Sequence, residues 1–401
     1  MELLVFESDT LETDCAPSKK NWLRIKRGDP SLTILEVWPA RDPPYWGPTI
    51  VDDAGIEELG RDIGKNTHLR ELTLTGINDM DDVATRKFQL LCRGINDNKS
   101  IGTLSLKNGN HEFAGKMCQF LDIFLEQNSN LQSVKVMGGL HREGLRFLAT
   151  PLMKRQNPLA NLELASNTID DDSVQDLALP MIENPTLTPK QIDLRGNTIG
   201  DNGCELIARL MHDSSCKIED LDISYNHNIT DYGAFAFANA LVGNEVLKKL
   251  GLGGTSITTT GFAAIYKSLC NPTTINATYT SNHSLNFLGW FAPHSNPLLD
   301  GLQQSLEWNK NDNKKLVACQ KVMIHHFSGD IRLEQFEGMQ PELLIRILAF
   351  INSWCAQNDG SSYETARRSI YFQLIKSDPM ICKIANHGPK KNGNGCKRRR
   401  L

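Results

Sequence analysis

The sequence lacks the features that mark several classes of protein. No stretch approaches the roughly 20 consecutive apolar residues that a membrane-spanning helix needs. The chain starts without a basic segment followed by a long apolar run, so we expect no secretory signal. None of the 10 cysteines forms a Cys-x-x-Cys pair or joins a histidine cluster with zinc-ligand spacing. We therefore predict an intracellular protein of the cytoplasm or nucleus, with reduced thiols, no metal and no membrane partner.

Catalytic motifs are also missing. The sequence contains no Gly-x-Ser-x-Gly elbow and no His-Glu-x-x-His helix. The glycine-rich stretch at 251–256 lacks the Gly-Lys-Ser/Thr ending of a phosphate-binding loop. His325 and His326 are adjacent in a predicted helix, where neighbouring side chains point in different directions. These absences predict a protein that is not an enzyme and uses no cofactor.

Charge is distributed unevenly along the chain. The net charge is −4, but residues 386–401 carry +6, which leaves −10 for residues 1–385. An acidic body disfavours nucleic acid as a partner. The basic cluster near the end suits a nuclear-import signal, weak binding to the phosphates of nucleic acid, or neither. Its members are Lys397, Arg398, Arg399 and Arg400.

A short pattern of apolar residues recurs along the chain. Leu69-Arg70-Glu71-Leu72-Thr73-Leu74 reads L-x-x-L-x-L, and its copies begin 28 to 32 residues apart. Such regular spacing is typical of repeat proteins, in which each unit buries its apolar residues against its neighbours. The seven copies start at Leu69, Ile101, Leu131, Leu159, Pro189, Ile218 and Leu247. An earlier copy fits at Leu32, and a last one near 274–285 has no fixed register.

The residues after each copy indicate a turn and then a helix. Apolar residues return at helical spacing, and Asp201 and Asp231 stand where an N-cap is expected. An asparagine near each helix end, such as Asn66 or Asn128, fits a left-handed residue that ends a helix. Three copies extend the pattern to L-x-x-L-x-L-x-x-N, with the asparagines Asn167, Asn197 and Asn226.

These repeats resemble the leucine-rich repeat proteins of the ribonuclease-inhibitor-like class, which pair one strand with one helix in each repeat. The resemblance implies an α/β fold, a curved leucine-rich repeat solenoid with parallel strands on the concave face and helices outside. It also implies that the repeat asparagines bond backbone groups at the strand-to-helix turn. We predict an N-terminal arm or cap at 1–30, the solenoid at 31–285, a helical C-terminal cap at 286–386 and a disordered basic tail at 387–401.

A narrower resemblance comes from four short segments near the end of the repeats. They are similar to the repeat-exit and cap segments of ribonuclease-inhibitor-like proteins of diatoms. The resemblance implies the same architecture and indicates no activity. The segments are 281–285, 307–310, 317–321 and 326–329.

The concave face carries the candidate site. Residues that flank the leucines point outward, so Glu163, Asp193 and Asp222 fall in one column on neighbouring strands, with Asp220 beside them. At a strand spacing of about 4.8 Å, this acidic ladder is expected to repel itself by roughly 1–3 kcal/mol per pair. Two interpretations stay open, a solvated surface and a docking patch for a basic protein. The docking interpretation assigns partner contacts to Glu163, Asp193, Asp222, Asp220, Arg195, Lys135 and Trp38.

Two functions follow from this pattern. The first is a non-enzymatic interaction scaffold that binds a protein partner on the concave face. The alternative is a GTPase regulator, because the Ran GTPase-activating proteins are similar in repeat class and length. That family uses an arginine and a charged concave surface and ends in an acidic tail, whereas this chain ends in a basic one.

Overall fold

The structure is a computed structural model that describes residues 19–37, 52–75, 82–107, 111–289, 297–326, 346–347 and 349. The chain divides into two compact units. The first unit comprises residues within 1–269 and 284–310, and the second comprises residues within 270–283 and 311–401.

Nine parallel strands form one sheet in the first unit, and they follow one another in chain order. This arrangement, with a helix after nearly every strand, confirms the predicted α/β leucine-rich repeat solenoid. The strands are β1 (Ile34–Val37), β2 (Glu71–Thr75), β3 (Thr103–Lys107), β4 (Ser133–Met137), β5 (Asn161–Glu163), β6 (Gln191–Asp193), β7 (Asp220–Asp222), β8 (Lys249–Gly251) and β9 (Phe287–Gly289).

Helices of the first unit connect the strands. They are α1 (Lys19–Lys26), α2 (Asp53–Lys65), α3 (Asp82–Ile95), α4 (His111–Phe120), α5 (Asp122–Gln127), α6 (Arg142–Leu152), α7 (Asp171–Glu183), α8 (Asp201–Met211), α9 (Asp231–Leu241) and α10 (Thr259–Leu269). Three further helices are α11 (Ile275–Tyr279) and α13 (Lys314–His326) in the second unit, and α12 (Pro297–Asn309) in the first. A single 3₁₀ turn at Pro185–Leu187 follows α7.

The repeat leucines form the core between the strands and the helices. Leu194 and Leu221 are 1% and 0% exposed, as their place in the pattern predicts. The register of the sheet is also the predicted one, because Leu162, Ile192 and Leu221 stand directly opposite one another on β5 to β7. The apolar residues of each repeat therefore contact those of the next, and the core is continuous along the array.

The last strand lies after the segment where the sequence left its register open. Leu288 of β9 pairs with Leu250 of β8, so the ninth repeat begins at Leu285. Part of the segment near 274–285 forms α11 instead of a strand. This helix lengthens the interval from the previous repeat and hides the regular spacing.

Strands β5, β6 and β7 each end in a turn that an asparagine closes. Asn197 donates to the carbonyl oxygens of Leu194 and Leu164, and its Oδ1 accepts from the N–H groups of Asn167 and Ile169. Asn167 and Asn226 occupy the same place in their repeats and make corresponding bonds to carbonyl groups. The role that the resemblance implied for these asparagines is confirmed. We refer to Asn167, Asn197 and Asn226 as the asparagine ladder.

Asp201 and Asp231 do not cap their own helices, which corrects the sequence interpretation; the N-caps there are Gly200 and Thr230. Asp201 Oδ1 accepts from the N–H groups of Thr230 and Gly233, at the start of the next helix, α9. Asp231 does the same for Thr258 and Gly261 at α10. A Cβ at Gly233 would lie 2.8 Å from Asp201 Oδ1, so glycine leaves room for this bond between repeats.

Asparagines at the helix ends also differ from expectation. Asn66 and Asn128 have φ values of −69° and −78°, so they are extended rather than left-handed. The Oδ1 of Asn66 accepts from the N–H groups of His68 and Leu69, which lead into the next strand. These asparagines end the helix through side-chain bonds, so a left-handed backbone is not required.

In the second unit, α11 and α13 pack together around polar groups. Lys321 is fully buried and donates to the carbonyl oxygen of Asn282 at 3.0 Å. Burial lowers the pKa of Lys321 to about 7. His326 Nε2 lies 2.7 Å from the hydroxyl of Thr278. Beyond residue 326, almost all of the predicted helical C-terminal cap lies outside the described residues.

Candidate functional site

The predicted acidic residues meet on the concave face of the sheet. Glu163, Asp193 and Asp222 stand directly opposite one another on β5, β6 and β7. Asp220 lies two residues before Asp222 on the same strand and therefore faces the same side. The inward residues between them belong to the core, so the acids are held on a rigid surface.

The acids are paired with cations, which corrects the expectation of an unrelieved repulsion. Lys135 Nζ lies 2.8 Å from Glu163, and Lys249 Nζ lies 3.1 Å from Asp220. Asp193 and Asp222 share Arg195. Each cation comes from the same or a neighbouring strand, so the repeat spacing that stacks the acids also brings their partners. Removing the acids is therefore not expected to stabilise the fold.

Arg195 is the most firmly held of these cations. Its Nε and Nη2 atoms donate to the carboxylate of Asp193 at 2.6 to 3.0 Å, and Nε lies 3.6 Å from Asp222. The hydrogen bond with Asp193 and the charge of Asp193 raise the pKa of Arg195 against the opposing effect of burial, and the charges of Asp222 and Glu163 add smaller contributions. The guanidinium is thus fixed in place, while its side chain remains 51% exposed.

These residues line a shallow depression of about 310 Å³ on the concave face. Its wall contains four carboxylates and one guanidinium, which leaves a formal charge of −3. Lys135 and Lys249 stand outside this lining, and their ion pairs are exposed. Exposed pairs contribute only about 0–1 kcal/mol each, so a ligand cation can replace these lysines at little cost. The lining is Asn161, Leu162, Glu163, Gln191, Ile192, Asp193, Arg195, Asp220 and Asp222.

Three features of the depression were missed from the sequence. Asn161 and Gln191 line it beside the acids, and Lys249 balances Asp220. Gly251 follows Asp222 in the central column, where a Cβ would collide with the Asp222 carboxylate. All four residues flank the repeat leucines in the sequence, but only the ion pairs and the depression show which of them lie together.

Trp38 and the basic cluster of the tail lie outside the described residues. The structure therefore neither joins Trp38 to the depression nor places Lys397, Arg398, Arg399 and Arg400, and their roles stay predictions. Among the residues of the first strands, Lys107 lies 3.7 Å from Glu36, and Met137 is 50% exposed. This end of the concave face is separate from the depression.

Other chemistry is limited in the part of the chain that the structure describes. The cysteines there are buried, and burial raises the pKa of the Cys118 thiol to about 12. No group of three or more histidine, cysteine or carboxylate side chains in these residues is placed to hold a metal ion. None of the described helices combines the length and the apolar character needed to cross a membrane.

Comparison with known proteins agrees with this architecture. The family model "Leucine Rich repeat" matches residues 184–208 and 214–238, which include β7 and most of α8 and α9. Pig (Sus scrofa) ribonuclease inhibitor is 27% identical over 229 residues, which cover 55% of this chain and 48% of that protein. This chain is a leucine-rich repeat protein of the ribonuclease-inhibitor-like class.

Two further relatives of this leucine-rich repeat protein belong to larger proteins. The human (Homo sapiens) NACHT, LRR and PYD domains-containing protein 12 is 26% identical over 227 residues, which cover 56% of this chain and 20% of that protein. RAN GTPase-activating protein 2 of Arabidopsis thaliana is 29% identical over 122 residues, which cover 30% of this chain and 22% of that protein. The similarity thus spans less than half the length of each of these relatives. Leucine-rich repeat proteins generally serve as scaffolds for protein interaction, and most are not enzymes.

Proposed function

We propose that this leucine-rich repeat protein is a non-enzymatic scaffold that holds a protein partner in the depression on β5, β6 and β7. The observation that carries the proposal is the set of four carboxylates in a preformed depression, whose lining has a charge of −3 that falls to −1 with the paired rim lysines Lys135 and Lys249. A partner with exposed lysine or arginine residues complements that charge. Binding is expected to weaken as salt rises, because exposed charges are screened over about 8 Å at physiological ionic strength.

A basic partner can replace the lysines in the two ion pairs at the rim of the depression. Lys135 and Lys249 form exposed ion pairs at the rim, whereas Arg195 is held by several hydrogen bonds to Asp193. A basic side chain that enters the depression meets Glu163 and Asp220 after displacing the rim lysines. Arg195 then orients the entering group by excluding it from Asp193.

An affinity capture with matched variants tests this function. Asp193→Asn with Asp222→Asn removes two charges of the depression and keeps the size of the side chains. A control pair, Glu183→Gln with Glu205→Gln, removes two exposed charges from α7 and α8. We expect the wild type and the control to retain the same partner and the first variant to lose it. Retention of every partner by the first variant would show that the acids are only a solvated surface.

A GTPase regulator is the second candidate, and the similarity to RAN GTPase-activating protein 2 favours it. An arginine supplied to a GTPase accelerates hydrolysis about 10³-fold or more. Arg195 is the exposed arginine of the depression, but two carboxylates hold it there. We expect no acceleration of GTP hydrolysis in a panel of small GTPases. Acceleration that Arg195→Ala removes would support the regulator instead.

A further inference from the structure

The outer side of α9, which faces away from the sheet, carries exposed apolar side chains. Tyr232 is 75% exposed, and Phe235 and the C-cap residue Val242 are exposed as well. Asp231 is the one charged residue in the sequence of α9, and its carboxylate accepts hydrogen bonds from the start of α10. A helix with apolar residues on every side is normally covered on every side.

The neighbouring repeats show that the fold does not require aromatic residues at these positions. The helices align on the glycine that contacts the aspartate of the preceding repeat, which is Gly233 in α9. At the positions of Tyr232 and Phe235, the adjacent helices carry smaller or polar residues, which are Asn202 and Glu205 in α8 and Thr260 and Ala263 in α10. Packing within the array therefore does not explain the two rings on α9.

The two rings are arranged before anything covers them. Tyr232 and Phe235 stand edge to face, with ring centroids 6.2 Å apart. Each ring restricts the rotamers of the other, so less conformational entropy is lost when a partner covers the pair. Tyrosine and phenylalanine are enriched in the cores of protein interfaces. The outer side of α9 thus has the composition of an interface core.

The charges beside this apolar surface indicate which partner covers it. Glu205 and Arg209 are exposed on the outer side of α8, which packs beside α9, and they are one helical turn apart. Neither forms an ion pair with another residue that the structure describes. A two-fold axis that runs across the helices would place α8 antiparallel to α8 of a second copy. Glu205 would then face Arg209 of the second copy, and the same pair would form again on the other side of the axis.

The same arrangement covers the apolar residues and limits the size of the contact. Reversal of α9 sets Tyr232 opposite Val242 of the second copy, because the two residues lie near opposite ends of the helix. Each of α8, α9 and α10 has 11 residues and is about 16 Å long, and neighbouring helices are about 8–10 Å apart. A strip of three helices is small for a protein interface, so we expect a weak dimer.

We propose that the outer side of α8, α9 and α10 binds the same surface of a second copy of this chain in an antiparallel two-fold dimer. Tyr232, Phe235 and Val242 form the apolar contact, and the reciprocal pairs of Glu205 with Arg209 set its direction. A two-fold interface must be complementary to itself, and this surface has apolar residues and both charges in the required places. The concave face lies on the other side of the sheet and stays open, so partner capture there does not depend on the dimer.

Sedimentation equilibrium of the full chain tests the dimer. Between about 1 and 200 µM, we expect the wild type to change from monomer to dimer, with a dissociation constant of about 10–100 µM. Tyr232→Asn with Phe235→Glu gives α9 the residues that α8 already carries at these positions, so the repeat can accommodate them. This variant is expected to stay monomeric at every concentration. A monomeric wild type at about 200 µM, or dimerisation of the variant as tight as that of the wild type, overturns the proposal.

Reversal of single charges tests the antiparallel arrangement. Glu205→Arg and Arg209→Glu each place like charges opposite one another, and each is expected to weaken the dimer about tenfold. An equimolar mixture of the two variants is expected to associate about as tightly as the wild type, because opposite charges face each other again in the mixed dimer. Glu143→Arg on α6 changes the net charge as Glu205→Arg does and should leave the dimer unchanged. A mixture that associates no better than either variant alone overturns the proposal, whereas the proposed function stands.

Discussion

The two halves of the sheet hold their repeats together in different ways. Strands β2, β3 and β4 have five residues each, whereas β5 to β8 have three. In the later repeats, main-chain hydrogen bonds between repeats continue beyond these short strands, as from the Leu164 N–H group to the Asp193 carbonyl oxygen. The asparagine ladder adds side-chain bonds to them: Asn167 binds the carbonyl oxygen of Val136, Asn197 that of Leu164, and Asn226 that of Leu194. The corresponding positions of the earlier repeats are Ile77, Gly109 and Gly139. The later repeats thus have a side-chain link at this turn in addition to main-chain pairing.

A second link is confined to the later repeats. Asp171, Asp201 and Asp231 each accept hydrogen bonds from the first turn of the following helix. The aspartate at the corresponding place in α2, Asp53, instead forms an exposed ion pair with Arg86 at 2.9 Å. Side-chain hydrogen bonds also join the earlier repeats, but near the helix ends, where Asn98 donates to the carbonyl oxygens of Ile63 and Asn66. The candidate site therefore lies on the half of the sheet where such bonds join the turns and helix starts that follow the strands.

The largest expected losses of stability should be similar in the two halves of the sheet. Leu194→Ala in the later half and Leu104→Ala in the earlier half both remove a side chain that is at most 1% exposed. Each is expected to lower the free energy of unfolding by about 2–5 kcal/mol, because a cavity replaces the side chain. Urea denaturation of the two variants checks this. A difference above about 2 kcal/mol between them would mean that the cores of the halves are not equivalent.

Asn197→Ala should show how much the asparagine ladder contributes to the stability of the later half. It leaves the buried N–H groups of Asn167 and Ile169 without their acceptor, and the carbonyl oxygens of Leu164 and Leu194 each lose one of two asparagine donors. We expect a loss of about 3 kcal/mol in the free energy of unfolding, measured by urea denaturation. Asn202→Ala, on the exposed side of α8, is the control and should change stability by less than about 0.5 kcal/mol. Equal free energies of unfolding for the two variants would show that the asparagine ladder does not stabilise the repeats.

Asp201→Ala should show a smaller effect of the same kind. The substitution removes three hydrogen bonds to the start of α9, from the Thr230 N–H, the Thr230 hydroxyl and the Gly233 N–H. Loss of a helix cap costs about 0.5–2 kcal/mol, and we expect a value near the upper end. Asp53→Ala breaks only an exposed ion pair and should cost about 0–1 kcal/mol. Thermal unfolding that ranks Asp53→Ala as the more harmful substitution would contradict this comparison.

The smallest expected effect is a dependence of stability on pH that comes from Asp231 in the later half. Burial raises the pKa of Asp231, but the hydrogen bonds from Thr258 and Gly261 outweigh it, so the pKa is lowered overall. A lowered carboxyl pKa stabilises the fold above the unfolded value near 4, and that stability is lost as the pH falls through the folded value. Urea midpoints at pH 7 and pH 3 should differ less for Asp231→Asn than for the wild type. An equal shift in both proteins would exclude this contribution.

Sequence alone predicts the repeating parts of this molecule well. The leucines, the strand register and the column that contains Glu163, Asp193 and Asp222 all follow from local spacing. The caps supplied by Asp201 and Asp231 do not, because each bond joins residues nearly 30 positions apart. Rules that consider only neighbouring residues in the sequence therefore assign Asp201 and Asp231 as N-caps of their own helices.

The chemistry of the candidate site is predicted less completely for the same reason. Acids are visible in the sequence, but their pairing with Lys135, Arg195 and Lys249 depends on which side chains share the face of neighbouring strands. Without the positions of these cations, the sequence predicts electrostatic repulsion within the column of acids.

Photo-crosslinking of a captured partner tests the central claim most directly. A photoreactive amino acid is placed at Lys249 beside the depression, at Glu71 on the earlier half of the same face, or at Gln175 on the outer side of α7. All three positions are exposed, so the reagent has the same access to each. The account predicts efficient crosslinking from Lys249 and little from the other two. Equal yields from all three positions, or the highest yield from Gln175, would contradict a partner held on the concave face of β5, β6 and β7.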